Sequence, residues 1–101
     1  MSKIIEYNFQ WDPSKARLND KKHGVAFERA TTVFYDSNAL SIFDEWHSSK
    51  EERWITLGFD NTATLIVVSH TYQEESEYVV HIRLISARKA TKLEIKQYRG
   101  D

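Results

Sequence analysis

RWITLGFDNTATLIVVSHTYQEESEYVVHIRLIS, residues 53–86, decides the fold. Apolar side chains recur with period two over 53–59, 63–72 and 78–86, the signature of strands with one face turned to a core. The breaks between these segments, Asp60-Asn61-Thr62 and Gln73 to Glu77, are of hairpin length. The three segments are therefore predicted to form an antiparallel meander. Alternation sorts the last segment by face. Val79, His81, Arg83 and Ile85 share one side, while Tyr78, Val80, Ile82 and Leu84 share the continuous apolar one, so Arg83 projects away from that apolar face. By the same rule His70 and Tyr72 share a face with Ile66 and Val68.

Working outward, ALSIF at 39–43 adds a strand before the meander, and IIEYNFQ at 4–10 alternates well enough for a first strand. Between them lie two helical patterns. Asp12-Pro13 supplies an N-cap followed by Pro at the first helical position; Lys21, Lys22 and His23 suit the C-terminal dipole, and Gly24 can take the left-handed position that ends the helix. Next, Ala26, Phe27, Ala30, Val33 and Phe34 fall at helical spacing with Glu28 and Arg29 opposite, and Asp36-Ser37-Asn38 closes this second helix. Downstream of the meander, KATKLEIKQYR reads as a C-terminal helix with Lys89, Lys92, Lys96 and Arg99 in one basic stripe. The order β-α-α-β-β-β-β-α predicts an α+β fold: a twisted antiparallel sheet with two N-terminal helices and one C-terminal helix.

Composition sets the outer limits. A chain of 101 residues supports one hydrophobic core, so residues 1–101 are read as a single domain. Its 41% hydrophobic and 29% charged content, with one Pro and three Gly, is that of a folded globule. There is no cysteine for a disulfide or a thiolate metal site, no secretory apolar segment after Met1, and no apolar run near the roughly 20 residues that cross a bilayer. A cytoplasmic protein with no membrane partner is the expectation.

Four histidines, at 23, 47, 70 and 81, include no pair at metal-ligand spacing, and neither a Gly-rich phosphate loop nor a nucleophile elbow occurs. No metal and no cofactor are expected. The net charge of −1 conceals a segregation: Arg83 to Arg99 holds six Lys/Arg against Glu94, while 44–52 holds four acids against Lys50. A basic surface for a polyanion and a solvated helix face both fit this pattern. Arg83 and Arg88 flank Ser86-Ala87, where strand is expected to pass into helix, and could clamp a phosphate there. Arg53, directly after HSSKEE, fits an ion pair with Glu51 or Glu52 as well as a ligand contact, and His70 and His81 fit structural as well as catalytic roles.

FQWDPSKARLNDKKHGVAFERATTVFYD, HSSKEERW and HIRLISARKATKLEIKQY, spanning Phe9 to Tyr98, resemble the BrnT family of bacterial toxins. The blocks W-D-P-x-K, K-H-G-V-x-F, H-x-x-x-E-x-R and I-x-x-I-S-A-R-x-A stand here in that family's order. The resemblance implies a RelE-like fold, a ribonuclease activity that arrests translation, and neutralisation by a BrnA-type antitoxin that carries the operator-DNA-binding element. With it come candidates: His47, Glu51, Arg53, Arg83 and Arg88 for catalysis, and Lys22, His23, Lys89, Lys92, Lys96 and Tyr98 for RNA binding. The chemistry implied is metal-free attack by the RNA 2′-hydroxyl, with His47 or Glu51 moving protons and the arginines stabilising charge on phosphate. Two other classes fit the residues alone: a non-catalytic nucleic-acid-binding module, and a protein-binding subunit of a repressor complex.

Overall fold

The structure, a computed structural model, describes residues 4–101. The first strand β1 (Glu6–Gln10) is followed by α1 (Pro13–His23) and α2 (Phe27–Ala30), the latter continuing as a 3₁₀ turn through Thr31–Tyr35. Next come β2 (Leu40–Phe43), a 3₁₀ turn at Glu45–His47, β3 (Trp54–Phe59), β4 (Leu65–His70), a short β5 (Gln73–Glu74), β6 (Val79–Lys89) and α3 (Lys92–Arg99). The strands form one six-stranded sheet of order β1-β6-β4-β3-β2, with β5 also on β6.

The meander is present, since β3–β4 and β4–β6 pair antiparallel as the alternation predicts, and β2 adds to β3 in the same sense. The expectation of an all-antiparallel sheet is corrected at one edge. β1 lies parallel to β6, with Tyr7 opposite Val80 and Gln10 opposite Arg83, because the long passage through the rest of the chain returns β6 in the same direction. A second correction concerns β6, which runs on to Lys89, so the strand passes into α3 after Ala90 and not at Ser86-Ala87.

Helices cover both faces. On one, Val25, Phe27, Ala30 and Val33 pack on Ile66, Val68, Ile82, Leu84 and Ala87. On the other, Ile95 and Tyr98 of α3 cover Leu57, Leu65 and Val67. Local signals set the helix ends as the sequence indicates: Asp12 accepts from Ser14 N–H at 2.8 Å, Gly24 takes φ 68°, and Thr91 and Glu94 close a reciprocal capping box. Gly58 has a packing reason, because a Cβ there would meet Val33 Cγ1 at 2.9 Å. Buried Asp60 accepts from Thr62 N–H and Thr64 N–H in the β3–β4 turn and pairs with Arg29, fixing α2 to the meander.

Beyond the end of β1 the edge of β6 is free, and Asn19 of α1 closes it. Its buried amide donates to Ala87 C=O at 2.9 Å and to Val25 C=O at 3.0 Å, and accepts from Ala87 N–H at 3.0 Å. A side chain thus stands in for the missing strand, which satisfies backbone groups that burial would otherwise leave unpaired.

Candidate functional site

A bulge in β6 governs which cations meet. Ser69 faces Ser86 and His70 faces Leu84, so Ile85 has no opposite number and the inside–outside alternation slips by one. The buried positions run Val80, Ile82, Leu84 and then Ala87. Arg83 and Arg88, five residues apart, therefore emerge on the same face, the one that α3 covers at its far end. They do not converge on one phosphate, because five strand residues span roughly 16 Å.

At the open end of this face lies a recess of about 320 Å³ lined by Gln10, Glu51, Thr71, Tyr72, His81 and Arg83 among others. Arg83 is held by its backbone: its N–H donates to Thr71 Oγ1 at 3.0 Å, and its C=O accepts from Thr71 N–H at 3.0 Å. Its guanidinium donates to Glu51 Oε1, and Arg53 Nη2 stands 3.6 Å from the same oxygen, an ion pair beyond hydrogen-bond length. Hydrogen bonding from Arg83 outweighs burial and, with the charges of both arginines, holds the Glu51 carboxyl below its usual range. Glu51 is therefore an ionised acceptor at neutral pH. The strand entry at Arg53 is tied by Ser48, whose Oγ accepts from Arg53 N–H at 3.0 Å. Among the described residues Arg53 Nε is buried without a hydrogen-bond partner, which leaves this guanidinium less committed than that of Arg83. On the wall, His81 Nε2 is 3.0 Å from Glu75 Oε1.

Of the sequence candidates, the structure gathers Glu51, Arg53 and Arg83. His47 stands outside the recess lining, its side chain 67% exposed, with Nδ1 2.8 Å from Asp44 Oδ2. Arg88 is engaged elsewhere: it donates bidentately to Glu94, at 2.8 and 3.0 Å, and so locks the end of β6 to the first turn of α3. These bonds, with burial opposing and Thr91 N–H assisting, bring Glu94 down to about 2. Tyr98 donates to Asp36 Oδ2 at 2.7 Å and stacks edge-on with Phe59, anchoring the other end of α3. Lys89, Lys92 and Lys96 are exposed along the outer side of α3 and the end of β6. Lys22 and His23 lie in the last turn of α1, the helix whose Ala16 packs on the opposite face. His70 is on that opposite face too, buried, as its alternation indicates.

Sequence reasoning passed over Gln10, Thr71 and Tyr72. For Gln10 no local signal exists, since its place beside Arg83 follows from parallel pairing across most of the chain. Thr71 and Tyr72 sit where β4 ends, and only the bulge explains why both face the site. Among the described residues no group of three or more His, Cys, Asp or Glu is placed to hold a metal ion, and no helix is long and apolar enough to cross a membrane.

Fold and recess together define a small α+β protein that presents guanidinium groups around an ionised carboxylate, an arrangement suited to a phosphate-bearing ligand. Residues 11–94 match the family model described as the ribonuclease toxin BrnT of type II toxin-antitoxin systems, and the chain belongs to that family. It is similar in fold to the Brucella abortus ribonuclease toxin BrnT, known from a crystal structure at 1.1 Å resolution. The TM-score is 0.58 at 23% identity, covering 91% of this chain and 100% of that one. No curated protein matches the chain.

Proposed function

We propose that the chain is a metal-independent endoribonuclease that inhibits translation, with a RelE-like fold and a cytoplasmic site of action. The observation that carries this reading is the pairing of Glu51 with Arg83 in one open recess, with His81 on its wall and Arg53 approaching the same Glu51 oxygen from beside it. RNA brings its own nucleophile. In the proposed reaction Glu51 removes the 2′-hydroxyl proton, the 2′-oxygen bonds to phosphorus, and the bond from phosphorus to the 5′-oxygen breaks. Arg83 and Arg53 stabilise charge on the non-bridging oxygens, and His81 protonates the departing 5′-oxygen, leaving a 2′,3′-cyclic phosphate and a 5′-hydroxyl. His47, solvent-facing beside the same loop, is the alternative proton carrier. Lys89, Lys92 and Lys96 are assigned to the RNA backbone further along the strand, and Lys22 and His23 to a second backbone contact. Arg88 and Tyr98 are assigned to holding α3 in place.

Family membership implies an antitoxin. We assign that partner to the BrnA type, with operator DNA bound only through it, and place it over the basic face that RNA would occupy. Incubating purified protein with RNA, with and without EDTA, tests the central claim. Cleavage that survives chelation and leaves cyclic or 3′-phosphate ends supports it; abolition by EDTA with rescue by magnesium overturns it.

A further inference from the structure

On the face opposite the arginine recess lies a second cavity, of about 460 Å³, which the mechanism above leaves unused. Tyr7, Phe34, Trp54 and Tyr72 wall it; its polar groups are the Ser41 and Thr56 hydroxyls with His70 behind them, and the carboxylates of Asp36, committed to Phe59 N–H and Tyr98, and of Glu74, exposed at the edge. Its size falls in the range of roughly 300–1,000 Å³ typical of small-ligand sites, and its mix of aromatic walls with a few placed polar groups is theirs as well.

The polar groups have a fixed direction. His70 Nδ1 lies 2.8 Å from Thr71 C=O, and a carbonyl can only accept, so Nδ1 carries the proton. Nε2, 2.6 Å from Thr56 Oγ1, then accepts from the threonine hydroxyl. With its own hydrogen committed, Thr56 Oγ1 must accept from Ser41, 2.8 Å away. Ser41 Oγ, the exposed end of this chain on strand β2, is left with lone pairs alone. The cavity therefore offers stacking surface and an acceptor whose polarity is set from the buried imidazole outward. A ligand that fits is a flat, unsaturated ring with a hydrogen-bond donor on its edge.

Continuity with the arginine recess identifies that ring. Arg53 and Trp54 are consecutive at the start of β3 and so point to opposite faces, and Tyr72 lines both cavities. A strand of RNA crossing this rim would have its phosphate among the arginines and its base beside Trp54 and Tyr72. We infer that the aromatic cavity is a nucleobase subsite, taking an unpaired base next to the reacting phosphate by its amino-bearing edge. Stacking holds the ring, and Ser41 selects the edge. The inference rests on the RNA reading above, and base stacking on aromatic side chains is the general means by which proteins hold single strands.

The test uses nucleosides, which carry no phosphate and so are independent of cleavage. Adenosine, cytidine and guanosine are titrated into the full chain while the Trp54 indole resonance is followed, with purine riboside, which lacks the exocyclic amine, as the comparison. At least one amino-bearing nucleoside should saturate the shift and bind about tenfold more tightly than purine riboside, the worth of one hydrogen bond. Ser41→Ala, at an exposed edge position, should erase that tenfold difference. Trp54→Leu, which lacks that reporter and is followed by titration calorimetry alongside wild type, should weaken every nucleoside by roughly 5- to 100-fold. No saturable shift with any nucleoside, or a preference untouched by Ser41→Ala, overturns the subsite. Nucleoside binding with this pattern in a protein that fails to cleave RNA leaves the subsite standing and removes the nuclease reading. Cleavage whose base preference survives both substitutions does the reverse.

Discussion

Glu51 and Arg83, 32 residues apart in sequence, are joined by a charge-assisted hydrogen bond, and Arg53 approaches the same carboxylate oxygen at 3.6 Å. The carboxylate occupies the place between two guanidiniums that a phosphate oxygen would take. In the proposed reaction an incoming phosphate would compete with it for the donors of Arg83, and the displaced carboxylate would regain basicity next to the 2′-hydroxyl.

Arg83→Ala should lower the cleavage rate by about 10²-fold or more, the usual loss when one charge-stabilising donor is removed. Folding should change little, since the side chain is 42% exposed and its ion pair is solvent-screened. Glu51→Gln should also lose cleavage, yet bind RNA at least as tightly, because a competitor for Arg83 is gone. Single-turnover cleavage and RNA binding, measured with circular dichroism on each variant, separate these effects. An unfolded Arg83→Ala protein would make this arginine structural.

Arg88→Ala is expected to behave in the opposite way. Its bidentate bond to Glu94 joins β6 to α3, so the variant should lose about 1 kcal/mol and roughly 4–8 °C in Tm, while the cleavage rate of folded protein stays near wild type. Thermal melts and rates at a temperature well below both midpoints decide it. A fully stable but inactive Arg88→Ala protein would return the residue to the catalytic group.

Much of this architecture was legible because local chemistry and tertiary environment agree. Period-two alternation gave the β3–β4–β6 meander, and capping residues gave both ends of α1. Arg83 faces away from the main core as its parity requires, and His70 faces into it. What was not legible depends on long-range pairing. The parallel docking of β1 on β6 has no signal in either strand, and the bulge at Ile85, which decides that Arg83 and Arg88 share a face, is written in no single residue type. The expected strand-to-helix passage at Ser86-Ala87 failed for a related reason. Asn19, from α1, satisfies the free edge at Ala87 and lets β6 continue to Lys89.

The basic stripe on α3 makes a separable prediction. Lys92 and Lys96 are exposed on α3 and take no part in the cluster that Ile95 and Tyr98 cover, so charge reversal there leaves the packing of the helix intact. If these lysines bind RNA phosphates, Lys92→Glu with Lys96→Glu should weaken binding similarly for all sequences. The dependence of log affinity on log salt should become shallower by about 0.7 for each single-strand phosphate that is no longer neutralised. The same reversals should weaken co-purification with the antitoxin at low salt more than at high salt. An unchanged salt slope would make the stripe a solvated helix face.

His70 makes stability depend on pH in a window of its own. It is 1% exposed, meets the edge of Phe34 at a centroid distance of 4.7 Å, and burial lowers its pKa to about 4 despite the hydrogen bond to Thr71 C=O. In the unfolded chain it titrates near 6.5, so between about 6.5 and 4 the unfolded state binds a proton that the folded state refuses. Stability is thus fully present above 6.5 and declines as pH falls through this window, by up to roughly 3 kcal/mol. The carboxylates held low by their partners act further down: Glu94, at about 2 in the fold, loses its contribution only as pH drops from about 4.5 towards 2. Urea unfolding at pH 7.0, 5.5 and 4.5 should therefore show a decline that His70→Gln, which cannot be charged, removes over this range. The variant will be less stable at pH 7, since it cannot reproduce both the ring contact and the Thr56 bond, so the slope with pH is the decisive quantity. A wild-type slope retained in His70→Gln would assign the titration to another group and take away the neutral imidazole that sets the direction of the Ser41–Thr56 chain.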